Sequence, residues 1–207
     1  HPAILADGSI YTARRFLLLG LRLGAEHSFE SLHYLLEHAL VPRQFGRKRD
    51  ECCVEDLTLS QHFINELPQW EPHETQPLYA LLHESIYAEQ TSTGFAAEEV
   101  LAEFPPYWDT LLSNPKYPLY FFGEMMFPFM YQDFAKLSKL KETADLLTNK
   151  VWPALYDQQT LRENTVPCAA AVYYNDMYVD HVYQEETAAM MPNFKCWVGQ
   201  KFDFRAK

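Results

Sequence analysis

Glycine is the residue that most limits this chain. Seven occur in 207 residues, at positions 8, 20, 24, 46, 94, 123 and 199, against 13 prolines. Glycine supplies the positive-φ turns and close backbone approaches that ligand-cradling loops are built from. With these seven positions neither G-x-G-x-x-G nor a P-loop can be written. Only Gly20 and Gly24 have the spacing of a G-x-S-x-G nucleophile elbow, and the residue between them is Arg22. The sequence therefore holds no strand-to-helix elbow bearing a serine nucleophile. Few glycines and many prolines predict a mainly helical chain punctuated by proline.

The totals narrow the class of function. Hydrophobic residues make up 48% of the chain, enough for a real core. The 17 basic residues are outnumbered by 28 acidic ones, for a net charge of −11, which argues against nucleic acid as a partner. The one basic cluster, RQFGRKR at 43–49, runs straight into Asp50 and Glu51 and reads as a solvated loop. No apolar run approaches the 18 residues of a membrane span. Cys52, Cys53, Cys168 and Cys196 show no CxxC and no regular spacing, which suits a reducing cytoplasm. The opening His1-Pro2 has neither a start Met nor a signal-peptide pattern, and reads as the edge of a fragment or a processed chain.

Hydrophobic periodicity and proline positions predict helices over 11–23, 29–40, 57–67, 78–88, 95–104 and 133–148. Residues 1–10 read as extended with a turn at Asp7-Gly8, 43–56 as a charged loop, and 117–122 as apolar and ambiguous. After a short helix at 158–163 comes a strand at 168–174, a helix at 184–190 and a last strand at 195–198. The first 130 residues thus read as nearly all helical, and only the last 75 show strand–helix–strand order.

The strand at 168–174 belongs to the run VPCAAAVYYNDMYVD. Its length and bounding residues are those of a fully buried strand. It ends on Asn175-Asp176, and in open α/β sheets the carboxyl end of a strand is where sites are built. An aspartate there can orient and charge-stabilise a histidine. Asn-Asp is also ordinary turn chemistry, so the run alone leaves both readings open.

Other candidates are weaker or differently placed. Glu30, His33 and Glu37 share a helix face, but HYLLEH matches neither HExxH nor HxxEH. His83-Glu84 begins like HExxH, yet Tyr87 stands where the second histidine belongs. No metal or other cofactor is expected. Glu84 lies in a largely apolar helix, and Glu124 sits between Gly123 and MMFPFM. A carboxylate in such surroundings needs a partner: either a structural hydrogen bond or a cationic group such as a substrate amine.

Several segments together resemble one family. LADGSIYTARRFLLLGLRLG with FESLHYLLEHA, then PLYALLHESIYA, FFGEMMFPFM, LYDQQTLRENTVPCAAAVYYNDMYVD, ETAA and KCWV look like proline iminopeptidases of the α/β-hydrolase fold, in the clade with a large helical cap. The resemblance implies a partial α/β hydrolase, with a cap-like region at 1–131 and the carboxyl-terminal part of the core at 132–207. It implies a Ser-Asp-His triad that releases N-terminal proline from peptides. In that pattern Asp176 is the triad acid, and Glu124, with Glu84 behind it, holds the substrate's α-amino group. The serine belongs to the amino-terminal half, which this sequence lacks.

The sequence departs from the family where the catalytic histidine belongs. The chain reads WVGQKFDFRAK from Trp197, and Phe204 takes the histidine's place. Phenylalanine cannot move a proton. The one histidine after Asp176 is His181, five residues on and opening a predicted helix. The chain alone is therefore expected to be inactive, and to need the missing half or an oligomer partner to cover its sheet edge. Two other readings remain open: a non-catalytic interaction protein on this scaffold, and another cap-bearing hydrolase of esters or amides.

Overall fold

The computed structural model describes residues 3–25, 27–103, 114, 116 and 118–199. These fall into two compact units. The first comprises residues 1–87 and 92–150, and the second 88–91 and 151–207.

The first unit opens with the predicted turn. Gly8, at φ +86°, closes a hairpin in which β1 (Ala3–Ile4) pairs antiparallel with β2 (Ile10–Tyr11). The helix predicted at 11–23 is shorter: α1 (Ala13–Leu17), capped by the Thr12 side chain, continues as a 3-10 turn over Leu18–Gly24. Helix α2 (Ser28–Glu37) stops before the predicted 40. The chain then forms β3 (Leu40–Pro42), which pairs antiparallel with β4 (Leu57–Leu59) across the charged loop. This second hairpin corrects the nearly all-helical reading of the first 130 residues. Leu40, Leu57 and Leu59 lie in predicted helices, but Leu40 faces Leu59 and Pro42 faces Leu57 across the strand ladder, which satisfies backbone groups instead.

Ser60 caps α3 (Gln61–Trp70), its hydroxyl accepting from Phe63 N at 3.0 Å. Pro68 lies inside the last turn of this helix rather than ending it. Helix α4 (Pro77–Leu82) has Pro77 in its first turn, where no hydrogen-bond donor is needed. A 3-10 turn at Glu84–Tyr87 follows it, and then α5 (Ala96–Glu103). The predicted helix at 133–148 is broken into α6 (Met130–Asp133), a 3-10 turn at Leu137–Leu140 and α7 (Lys141–Thr148).

Two hydrophobic clusters hold this unit. Tyr11, Leu19, Leu32, Leu35, Phe63 and Leu67 form one; Leu17, Leu18, Ala80, Phe122, Phe127, Met130 and Phe134 belong to the other. The 3-10 segment feeds both, which fixes its neighbours. Phe122 N donates to Leu17 O at 2.9 Å. A Cβ at Gly20 would collide with the Phe122 carbonyl oxygen and the Phe121 Cβ. Gly20 is thus the seat across which residues 121–122 run, and Glu124 follows two residues later.

A buried ion pair clamps the other end. Arg15 Nε donates to Glu71 Oε1 and Oε2 at 3.0 and 3.1 Å, and its NH2 donates to Oε2 at 2.8 Å. The guanidinium lies 3.8 Å from the Phe134 ring centroid and reaches the Asp133 carbonyl. Burial pushes the Glu71 carboxyl up, and the Arg15 fork pulls it back.

The second unit contains the strand–helix–strand order that the sequence predicts. Asp157 caps α8 (Gln158–Arg162), accepting from Gln159 N and Thr160 N. β5 (Cys168–Tyr173), α9 (His181–Met190) and β6 (Phe194–Gly199) follow, and the strands pair in parallel from Cys168↔Phe194 to Tyr173↔Gly199. The expectation of a fully buried strand does not hold among the described residues. Only Val172 of β5 is buried, and Trp197 and Val198 of β6 are half exposed. A strand this apolar is suited to cover on both faces, and a two-stranded pair with one helix supplies little of it.

Candidate functional site

Glu124 lies half-buried in an irregular stretch between Phe122 and Phe127. Two residues one helical turn apart hold it. The Tyr79 hydroxyl, from α4, donates to Glu124 Oε1. The ring of His83, at the end of the same helix, faces the Glu124 backbone, which partly offsets the effect of burial on the imidazole. Helix α4 is in turn tied to the Met- and Phe-rich run, because Tyr131 Oη donates to the Ala80 carbonyl at 2.9 Å. Burial raises the Glu124 carboxyl above its ordinary range.

The Tyr79 ring sits between two imidazoles. His73 lies 5.7 Å and His83 5.0 Å from it, centroid to centroid, and Tyr87 extends the row 5.7 Å beyond His83. Both histidines are buried. Neither ring nitrogen of His73 and not Nε2 of His83 has a hydrogen-bond partner among the described residues. Burial drives His73 down to about 4 and lowers His83 as well, so both rings are neutral near pH 7. Sequence reading did not single out this row. Its signal was present in the spacing Tyr79, His83, Tyr87, three rings at successive i+4 positions.

Glu84 occupies a different environment. Its Oε2 accepts from Thr93 Oγ1 at 2.9 Å and Thr148 Oγ1 at 3.0 Å, and its Oε1 accepts from Ala96 N at 3.1 Å. The carboxylate thus pins the loop before α5 to the end of α7 and caps the first turn of α5. That loop needs pinning, since Gln90 and Phe95 both hold positive φ.

Asp176 lies three residues past the carboxyl end of β5, half-buried. Its Oδ1 accepts from Tyr178 N at 2.8 Å and Val179 N at 3.1 Å; Oδ2 takes neither bond. His181 opens α9 and packs its ring 4.4 Å from that of Tyr174. Phe204 lies outside the described residues. Glu30, His33 and Glu37 are exposed on α2. No group of three His, Cys, Asp or Glu among the described residues could hold a metal.

Comparison with known proteins bears on what such carboxylates serve. Over 204 residues, 98% of its length, the chain is 37% identical to a proline iminopeptidase of Aeromonas sobria. This chain is a relative of the proline iminopeptidases. It is also 29% identical over 199 residues to proline iminopeptidase aneH of Aspergillus aculeatus. The chain spans 44% and 40% of the length of these two relatives. No protein-family model matches it. The kinship implies an α/β hydrolase, and the helices, short hairpins and parallel strand pair described above are compatible with part of one. No described helix is long and apolar enough to cross a membrane.

Proposed function

We propose that this sequence forms the amine-binding and acid-bearing part of a serine aminopeptidase that releases N-terminal proline from peptides. The observation that carries the reading is the identity to a proline iminopeptidase over nearly the whole chain. In this reading residues 1–131 are cap-like and 132–207 belong to the hydrolase core. Glu124 receives the protonated α-amine of the substrate. Glu84 is the second acidic group, though its oxygens already accept three bonds and one would have to be given up. Asp176 is the triad acid: it follows the end of a parallel strand, and its backbone bonds fix the carboxylate's orientation.

The nucleophile and the base are not supplied by residues 1–207 as read, because no elbow serine exists and Phe204 cannot accept a proton. The half-exposed strand pair of the second unit is the surface that further core strands, or an oligomer partner, would cover. Four unpaired cysteines suit a cytoplasmic setting. Phe204 is the specific observation that favours a second reading, a non-catalytic binding protein on the same scaffold.

Asp176→Asn in the full-length protein that carries this sequence tests the first reading. Turnover of a proline arylamide should fall by about 10⁴-fold, the loss seen when a triad aspartate is neutralised. A near-wild-type rate removes Asp176 from the site. Absence of any turnover in the unsubstituted full-length protein favours the binding-protein reading.

A further inference from the structure

We propose that Tyr79 is a positioning residue for amine recognition, holding one oxygen of Glu124 so that the other is presented to a substrate ammonium. The inference rests on the reading of Glu124 as the amine-binding carboxylate. Its own support is geometric. The Tyr79 hydroxyl donates to Oε1, which leaves Oε2 as the oxygen without that donor. The His83 ring faces the Glu124 backbone from one turn further along, so side chain and main chain both lie against the same helix. Tyr79 is itself constrained, its ring flanked by His73 and His83.

An unanchored carboxylate on an irregular segment would have to give up rotamer freedom each time it met a cation. One already held by a hydroxyl loses less, and binds correspondingly more tightly. The flanking groups also keep the local charge simple. His73 and His83 are neutral near pH 7, so neither imidazole repels an ammonium nor neutralises Glu124. Glu84, whose charge reaches His83, is of the same sign as Glu124 and adds to the attraction for a cation. His73, with both ring nitrogens unpartnered among the described residues, acts as a wall for the Tyr79 ring rather than as a second hydrogen-bonding group.

The test is calorimetric binding of L-prolinamide to the full-length protein, which needs neither the nucleophile nor the base. Tyr79→Phe keeps the ring between the two imidazoles and removes only the hydroxyl, and its unfolding midpoint should stay close to wild type. Its Kd for L-prolinamide should rise about tenfold, the scale of one hydrogen bond to a charged group. Its affinity for N-acetylprolinamide should not change, whereas a merely structural role would weaken both. Glu124→Gln should weaken L-prolinamide binding at least as much, and adding Tyr79→Phe to it should cost nothing further. If Glu124→Gln weakens binding but Tyr79→Phe does not, the positioning role is overturned and the amine-binding reading survives. If the Tyr79→Phe loss persists undiminished in the Glu124→Gln background, Tyr79 acts elsewhere. If Glu124→Gln leaves the affinity unchanged, or L-prolinamide does not bind at all, both fail together.

Discussion

At the scale of single residues, the buried His73 and the half-buried Glu84 have consequences that can be measured apart from any activity. His73 is buried with neither nitrogen partnered among the described residues, and burial holds it down to about 4. In the unfolded chain it would titrate near its ordinary value of roughly 6.5. The unfolded state therefore binds the extra proton between those two values, and stability must fall as pH drops through that window. The loss should reach about 3 kcal/mol by pH 4. His73→Phe should flatten the dependence of denaturant midpoints on pH between 7 and 4, and an unaltered slope would mean that another group carries it. Glu84 gives the second prediction. Its carboxylate satisfies two hydroxyls and the first turn of α5 at once. Glu84→Ala should destabilise the protein by about 2–3 kcal/mol in urea unfolding, since it removes three hydrogen bonds to a carboxylate and leaves the Thr93 and Thr148 hydroxyls to each other at 3.1 Å. A change below about 0.5 kcal/mol would show that the network is weak.

At the scale of elements, Gly20 makes the clearest prediction. Residues 121–122 cross it so closely that a side chain there must displace backbone. Gly20→Ala should cost about 1–3 kcal/mol by overpacking, measured by urea unfolding, and should shift the segment that leads to Glu124. Wild-type stability would show that the crossing is loose. The sequence carried much of this level, unevenly. The Asp7-Gly8 turn, the break after Gly24 and the order β5–α9–β6 were legible, because turn chemistry and a continuous apolar run are local signals. The hairpin of β3 with β4 was not. Leu40 and its partner Leu59 are 19 positions apart, and their apolar character fits a helix face as well as a short strand. Nor was the Arg15–Glu71 ion pair visible, since 56 positions separate the partners. Within the candidate site, Glu124 stood out because a lone carboxylate among Met and Phe has few explanations. Tyr79 and His83 did not, because aromatic rings at i+4 spacing read as ordinary core.

At the scale of the whole molecule, the first unit is the better buried. Its hydrophobic clusters enclose Phe63, Phe127 and Phe134 almost completely, whereas the second unit leaves Trp197, Val198 and Tyr183 largely in solvent. The parallel pair β5–β6 has the sequence of an interior sheet without the cover that such a sheet takes. That contrast accords with the proposed reading, in which further core strands or an oligomer partner cover the pair. The central claim is that Glu124 receives a free proline amine within such an enzyme. The most direct measurement is kcat/KM of the full-length protein, with and without Glu124→Gln, on L-proline 4-nitroanilide and on its N-acetyl form. The account predicts hydrolysis of the free-amine substrate only, reduced at least about tenfold by Glu124→Gln. Equal rates on the two substrates, or full activity in Glu124→Gln, would contradict it.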